Sequence, residues 1–199
     1  LNRYGARFKY SRFLKVIDSS HESVTSNITT VEMRRDLRLA ISEVAEYAID
    51  FGNEFHIQSM NGFNIRSSAF RVLNINTDVY LYDTPDSTGE KGQISLFSLD
   101  EGSSTPVIQR RNVGVIDYKK GRITLDPINI VSGKSKDNVD ILEISATPES
   151  NDIIGLQDLY LQLDSSFVDM VVDEISSGAD PSGSTYTVTT SYKNGNIIR

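Results

Sequence analysis

Two adjacent arginines, Arg34 and Arg35, sit in the stretch ITTVEMRRDL (residues 28–37) of a 199-residue chain whose formal net charge is −7. A guanidinium stays charged and holds five donors in one plane, so its chemistry is the two-pronged grip of a carboxylate or phosphate. On a strand, successive side chains point to opposite faces. Val31, Met33, Arg35 and Leu37 then share an apolar face, while Glu32, Arg34 and Asp36 share a wet one. Arg34 is expected among acids in solvent. Arg35 is expected to make a buried, bidentate carboxylate contact that fixes the approach of a basic segment to an acidic surface. The competing reading places it on a sheet edge, as a charge that discourages strand addition. Arg34, Arg35, Arg38, Arg7 and Arg12 together form the candidate interface.

The other reactive residue types form no constellation. His21 and His56 stand apart, with no HxxxH-type spacing, and there is no cysteine. Disulfides, thiolate metal sites and cysteine nucleophiles are therefore excluded. Asp137, Asp140 and Glu143 lack the alternating acids and glycine turn of a calcium loop. Asp83 with Asp86, and Asp100 with Glu101, fall in segments that read as turns, where aspartate bonds its own backbone. GEKG (89–92) has the wrong spacing for a phosphate loop. The sequence points to no catalytic residue, no metal ligand and no cofactor. NIT (27–29) matches a glycosylation sequon, a pattern frequent by chance.

The elements that must position the arginines follow from periodicity. Phe13, Leu14 and Ile17 predict a helix over 10–18, and the polar run SSHES ends it. Val24 to Leu37 reads as a strand, as does 44–51. Further strands are expected at 54–59, 68–74, 78–83, 92–99, 106–110, 113–118, 122–126 and 138–146. VGVIDYKKGRITL (113–125) is a hairpin by pattern, with Gly121 supplying the positive φ of its turn. A second helix is expected over 165–176, capped by Asp164 or Ser165, with Phe167, Met170, Val171 and Ile175 as its buried stripe. SSGADPSGS (176–184) reads as a linker, and YTVTTSY (186–192) as a detached strand free to join a sheet edge. The fold class is α+β, mostly β, with antiparallel sheets and two or three short helices. Residues 1–60 form a basic helix–strand segment packing on the sheets, 61–176 the β-rich core, and 177–199 a linker and terminal strand.

Charge is divided along the chain. Residues 1–40 carry eight Lys/Arg against four acids, a net +4, and residues 41–199 carry a net −11. Opposite polarity at the two ends can draw copies together. The acidic balance argues against nucleic acid as a partner, despite the basic–aromatic run RYGARFKYSRF (3–13). No apolar run approaches the roughly 20 residues that span a bilayer, so no membrane partner is expected. A start at Leu1 without methionine reads as a piece of a longer chain.

KYSRFLKVIDSSHESVTSNITTVEMRRDL (9–37), YAIDFGNEF (47–55) and VGVIDYKKGRITLDPINI (113–130) occur in that order. They resemble the C-terminal part of the baseplate wedge protein of T-even-like contractile-tailed bacteriophages, with the hairpin also similar to baseplate J-like relatives. The resemblance implies a non-enzymatic virion protein of the tail baseplate, assembled in the host cytoplasm. It implies that copies pair, as a homodimer, and join other baseplate wedge proteins into a ring. Two other readings stay open. One is a carbohydrate- or receptor-binding β module using exposed tyrosines such as Tyr80, Tyr82 and Tyr118, against which the lack of tryptophan counts. The other is a hydrolase using a carboxylate pair.

Overall fold

Short turns with strong local chemistry set the order of the strands. In the computed structural model, which describes residues 8–100, 105–155, 161–171, 175–177, 186–188, 191–193 and 196–198, the chain divides into two units, Leu1–Leu159 and Tyr160–Arg199. In the first unit β5 (Tyr80–Pro85), β6 (Lys91–Leu99), β7 (Pro106–Asp117) and β8 (Arg122–Ser132) follow one another as an antiparallel meander. The β5–β6 turn is held by Asp86, whose Oδ1 accepts from the Thr88 backbone N–H at 3.0 Å and the Thr88 hydroxyl at 2.7 Å. The Thr88 hydroxyl is the first cause that holds the Asp86 carboxyl below the usual carboxylate range. β2 (Val44–Asp50) adds outside β8, giving the order β2-β8-β7-β6-β5, and β4 (Arg71–Val72) also pairs with β8.

A smaller sheet has the order β1 (Met33–Arg38), β10 (Val139–Ala146), β3 (Ile65–Ser67), with β9 (Lys134–Lys136) also pairing β10. Both sheets feed one hydrophobic core. Ile94, Leu96, Ile116, Ile123, Leu125 and Ile130 come from the larger sheet, and Met33, Ile65, Leu142 and Ile144 from the smaller. Alternation does most of the sorting, since the inward residues at every second position are mainly apolar on both sheets, with Asp83 and Arg35 as charged exceptions. Helix α1 (Tyr10–Asp18) lies where its pattern placed it, with Phe13, Leu14 and Ile17 half-buried. The Tyr10 hydroxyl donates to the Thr29 carbonyl at 2.6 Å, and Phe8 and Ile153 exchange two backbone hydrogen bonds.

The hairpin of β7 and β8 turns through Gly121 at φ +63°, and a Cβ there would lie 1.9 Å from the Asn53 carbonyl oxygen. Its turn residue Tyr118 is a junction. The Tyr118 N–H donates to the Glu90 carbonyl at 2.9 Å, its carbonyl accepts from Phe55 N–H at 2.8 Å, and its side chain, 2% exposed, reaches inward. There the phenol donates to Asp83 Oδ2 at 2.6 Å. Asp83 was expected in a turn. It stands instead on β5, fully buried, and its oxygens also accept from Asn64 N–H (2.8 Å), Ile65 N–H (3.1 Å) and Asn64 Nδ2 (2.8 Å). Four donors converge on one carboxylate, which is how a buried charge is tolerated. Burial first, and then the bond to Asp83, push the Tyr118 phenol pKa well above its usual value.

Several expectations are corrected. The strand expected from Val24 to Leu37 forms only from Met33, because β-branched residues 24–32 find no partner strand. Residues 54–59 make one isolated bridge, Phe55 to Pro148. Residues 106–110 and 113–118 belong to one strand, bent at Asn112 (φ +54°), where the register with β6 shifts. Residues 68–74 contribute only β4 and the bridge of Phe70 to Val79, while β9 was not foreseen. One α-helix and one 3-10 turn occur among the described residues.

That turn, Ser165–Phe167, replaces the helix expected from 165 to 176 in the second unit. Asp164 caps it as foreseen, Oδ1 accepting from Ser166 N–H at 3.1 Å. Met170 and Val171 of the expected buried stripe are exposed, and a short helix without a surface to pack on is not stable. The detached strand is also corrected: β11 (Ile175–Ser177) pairs with β12 (Tyr186–Val188), and β13 (Ser191–Lys193) with β14 (Asn196–Ile198). Most of the expected linker, 178–184, lies outside the described residues.

Three substitutions and one pH titration test these contacts. Gly121→Ala should lower stability by about 1–3 kcal/mol through backbone strain alone, read as a lower urea midpoint. Asp83→Ala, which strands four donors, should cost about 4 kcal/mol or more, and Tyr118→Phe about 1–2 kcal/mol. Because the folded state holds the phenol proton more tightly, stability is full below a pH of about 10 and falls as pH rises above it. Urea titrations of wild type and Tyr118→Phe at rising pH should show that the variant lacks this part of the alkaline loss.

Candidate protein interface

The pairing of β1 with β10 decides what each arginine can meet. Arg34 lies opposite Ser145, Asp36 opposite Glu143, and Arg38 opposite Ile141, all on the outward face. Arg66 of β3 joins that face opposite Ser145, and Lys134 joins it opposite Ile141. Four ion pairs lace the face together. Arg34 reaches Asp36 at 3.2 Å and Glu143 at 3.4 Å, Lys134 reaches Glu143 at 2.7 Å, and Lys136 reaches Asp36 at 2.5 Å. Burial alone would raise the Asp36 carboxyl, but Lys136 and Arg34 more than reverse this and hold it below the usual range. Each exposed pair contributes little stability, and the network mainly fixes where the charges stand.

Five cations, Arg34, Arg38, Arg66, Lys134 and Lys136, share these wet strand faces with only two carboxylates, Asp36 and Glu143. Arg38 and Arg66 have no ion pair among the described residues. Sequence reasoning found Arg34 and Arg38 but missed Arg66, Lys134 and Lys136. Their signal was the alternation of β10, which fixes a face; the neighbours on that face come from strands about 30 and 100 residues distant in number.

Arg35 turns inward beside Ile144 and is half-buried. The buried bidentate carboxylate contact expected of it is not formed: no carboxylate lies within ion-pair distance among the described residues. Its charge is felt at Asp50, whose carboxyl is held low first by the hydrogen bond from Arg122. Arg12 is exposed on α1, away from β1 in sequence, and Arg7 lies outside the described residues.

A second surface is aromatic. On β5 and β6, Tyr80 stands opposite Phe97, their ring centroids 5.4 Å apart. Phe63 packs on Tyr82 at 4.5 Å and on Phe97 at 5.5 Å while staying 49% exposed. Its backbone is left-handed, φ +64°, a strained conformation for a bulky residue. Asn64 and Ile65, bound to Asp83, and Asn61, whose carbonyl accepts from the Tyr82 hydroxyl at 3.1 Å, hold it there. Tyr80 and Tyr82, expected to be exposed, are partly covered by these rings, and Tyr118 is buried.

The histidines are brought to polar neighbours in loops. His56 Nδ1 lies 2.7 Å from Glu149 Oε2, and His21 Nδ1 accepts from Ser23 N–H at 3.1 Å. No group of three or more metal-ligating side chains occurs among the described residues. No helix among them is long and apolar enough to cross a membrane.

Residues 1–36 match the family described as baseplate structural protein gp6, C-terminal domain III. The matched segment takes in α1 and the first four residues of β1, with Arg34 and Arg35 but not Arg38. A search of curated proteins gives no match. The family match supports a structural protein of the phage tail baseplate.

Proposed function

We propose that this chain links neighbouring wedges of a phage tail baseplate into a ring, through contacts between its own copies and with other wedge proteins. The match of residues 1–36 to a baseplate structural family carries the reading. The division of charge supports it, since a basic amino-terminal part and an acidic remainder favour contact between copies in a defined orientation. So does the basic face of β1, β3 and β9, where Arg38 and Arg66 have no ion pair among the described residues. The work done is mechanical, with no bond made or broken, and assembly takes place in the host cytoplasm before the particle is complete.

The aromatic surface of Phe63, Tyr80, Tyr82 and Phe97 favours a second reading, a module that binds a carbohydrate or a receptor. Its rings pack on one another, and Phe63, 49% exposed, is the one a sugar could stack on.

Light scattering over a dilution series tests the first reading. The mass of the wild-type chain should rise above the 22.2 kDa of one copy as concentration increases. Arg34→Glu with Arg38→Glu should raise the concentration for half-association at least about tenfold and leave the melting temperature nearly unchanged, because exposed ion pairs contribute little. A constant single-copy mass, with glycan binding that is lost in Phe63→Ala, would favour the second reading instead.

A further inference from the structure

We infer that residues 106–112 of β7 form a docking arm for the open edge of β2 in a second copy of this chain, a self-contact separate from the basic face. The inference rests on the subunit-contact reading above and gives it a location.

β7 is long, Pro106–Asp117, but β8 pairs only with Gly114 to Asp117. Two features end that pairing. Asn112 bends β7 in the left-handed region, and β8 turns away at Asp126-Pro127, where proline has no N–H to donate. β8 keeps β2 on its other edge from Arg122 to Asn129 and then takes up β4 at Ile130 and Ser132, and β7 and β8 part around an open fork of about 220 Å³. Among the described residues, 106–111 therefore keep β6 on one side and no strand on the other. Every side chain from Pro106 to Asn112 is exposed, with Val107 at 45% and Ile108 at 38%. Such an edge is a template for another strand.

Charge and spacing select the occupant. Arg110 and Arg111 have no ion pair among the described residues, and 105–111 contains no acid. β2 is the terminal strand of the same sheet, its outer edge unpaired among the described residues. It is seven residues long, Val44–Asp50, which matches the seven of the arm. Glu43 and Glu46 flank and occupy it, both exposed and without ion pairs among the described residues, and Val44 is 69% exposed. In an antiparallel register that sets Arg110 opposite Glu46, Ile108 falls opposite Ala48 and Arg111 is diagonal to Glu43, within reach for long side chains. β1 also has an open edge, but its Arg34 is already held by Asp36 and Glu143. One arm and one β2 edge per copy make the contact head-to-tail or, if both engage at once, reciprocal.

The experiment uses the full chain in a light-scattering dilution series with four samples: wild type, Arg110→Glu/Arg111→Glu, Glu43→Arg/Glu46→Arg, and an equimolar mixture of the two variants. The proposal expects wild type to associate, each variant alone to need at least about tenfold higher concentration, and the mixture to recover association. Amide hydrogen exchange of wild type should slow at 44–50 and 106–112 as concentration rises. If wild type associates and the variants associate equally well, or exchange slows only elsewhere, the arm is overturned while the subunit-contact reading stands. If wild type remains a single copy at every concentration, both are overturned.

Discussion

A single buried carboxylate couples three parts of the chain that are far apart in sequence. Asp83 is fully buried on β5, the end strand of the larger sheet, with no cation in ion-pair distance among the described residues, and its oxygens are met by four donors. Those donors come from the 59–65 loop and from the turn of the β7–β8 hairpin. A buried charge in such a setting is costly unless every donor is in place, so the three segments adopt their positions together. Gly62, where a Cβ would fall 2.0 Å from the Asp83 carbonyl oxygen, lets the loop come this close. The entry of β3 into the smaller sheet follows from the same bonds, because Ile65 is both a donor to Asp83 and the first residue of β3.

The outward surface depends on that inner constraint. Phe63 would relax out of its left-handed backbone if the residues on either side were free, and the aromatic surface would lose its cap. The strain is thus held by hydrogen bonds around it, the usual condition for a strained backbone. The charged face of the smaller sheet works differently. Its arginines and lysines are spaced by strand pairing and fixed by exposed carboxylates, so it presents a patterned positive field at small cost to stability. An assembly protein benefits from that arrangement, since charge can guide approach while the core that keeps the fold lies elsewhere.

Strand edges complete the picture. The edge of β5 is covered by the 64–67 segment and by the bridge of Phe70 to Val79, and the Ser67 hydroxyl accepts from Leu81 N–H at 2.9 Å. β2 and the arm of β7 are not covered in this way. Natural sheets rarely leave edges bare without charges to limit pairing. The edge of β2 and the arm of β7 carry opposite charges, which discourages each from pairing with itself and favours pairing with the other.

Local chemistry alone determined the helix at 10–18, the hairpin through Gly121, most strands of the meander and the two faces of β1. These depend on side-chain alternation, helical spacing and turn residues, all of which are properties of neighbours along the chain. Tertiary structure decided the rest. A strand forms only where another strand can pair with it, so residues 24–32 stay irregular despite their β-branched side chains. A helix needs a surface for its apolar stripe, so the helix expected at 165–176 gives way to a 3-10 turn at Ser165–Phe167 followed by irregular chain through Val171. Asp83 reads as a turn residue by its neighbours and becomes a buried hub only because Tyr118 and Asn64 arrive from elsewhere. The same holds for the basic face: the sequence named Arg34 and Arg38, but only the pairing of β1, β3 and β9 with β10 could bring Arg66, Lys134 and Lys136 beside them, since contacts between distant residues are fixed by register and not by local pattern.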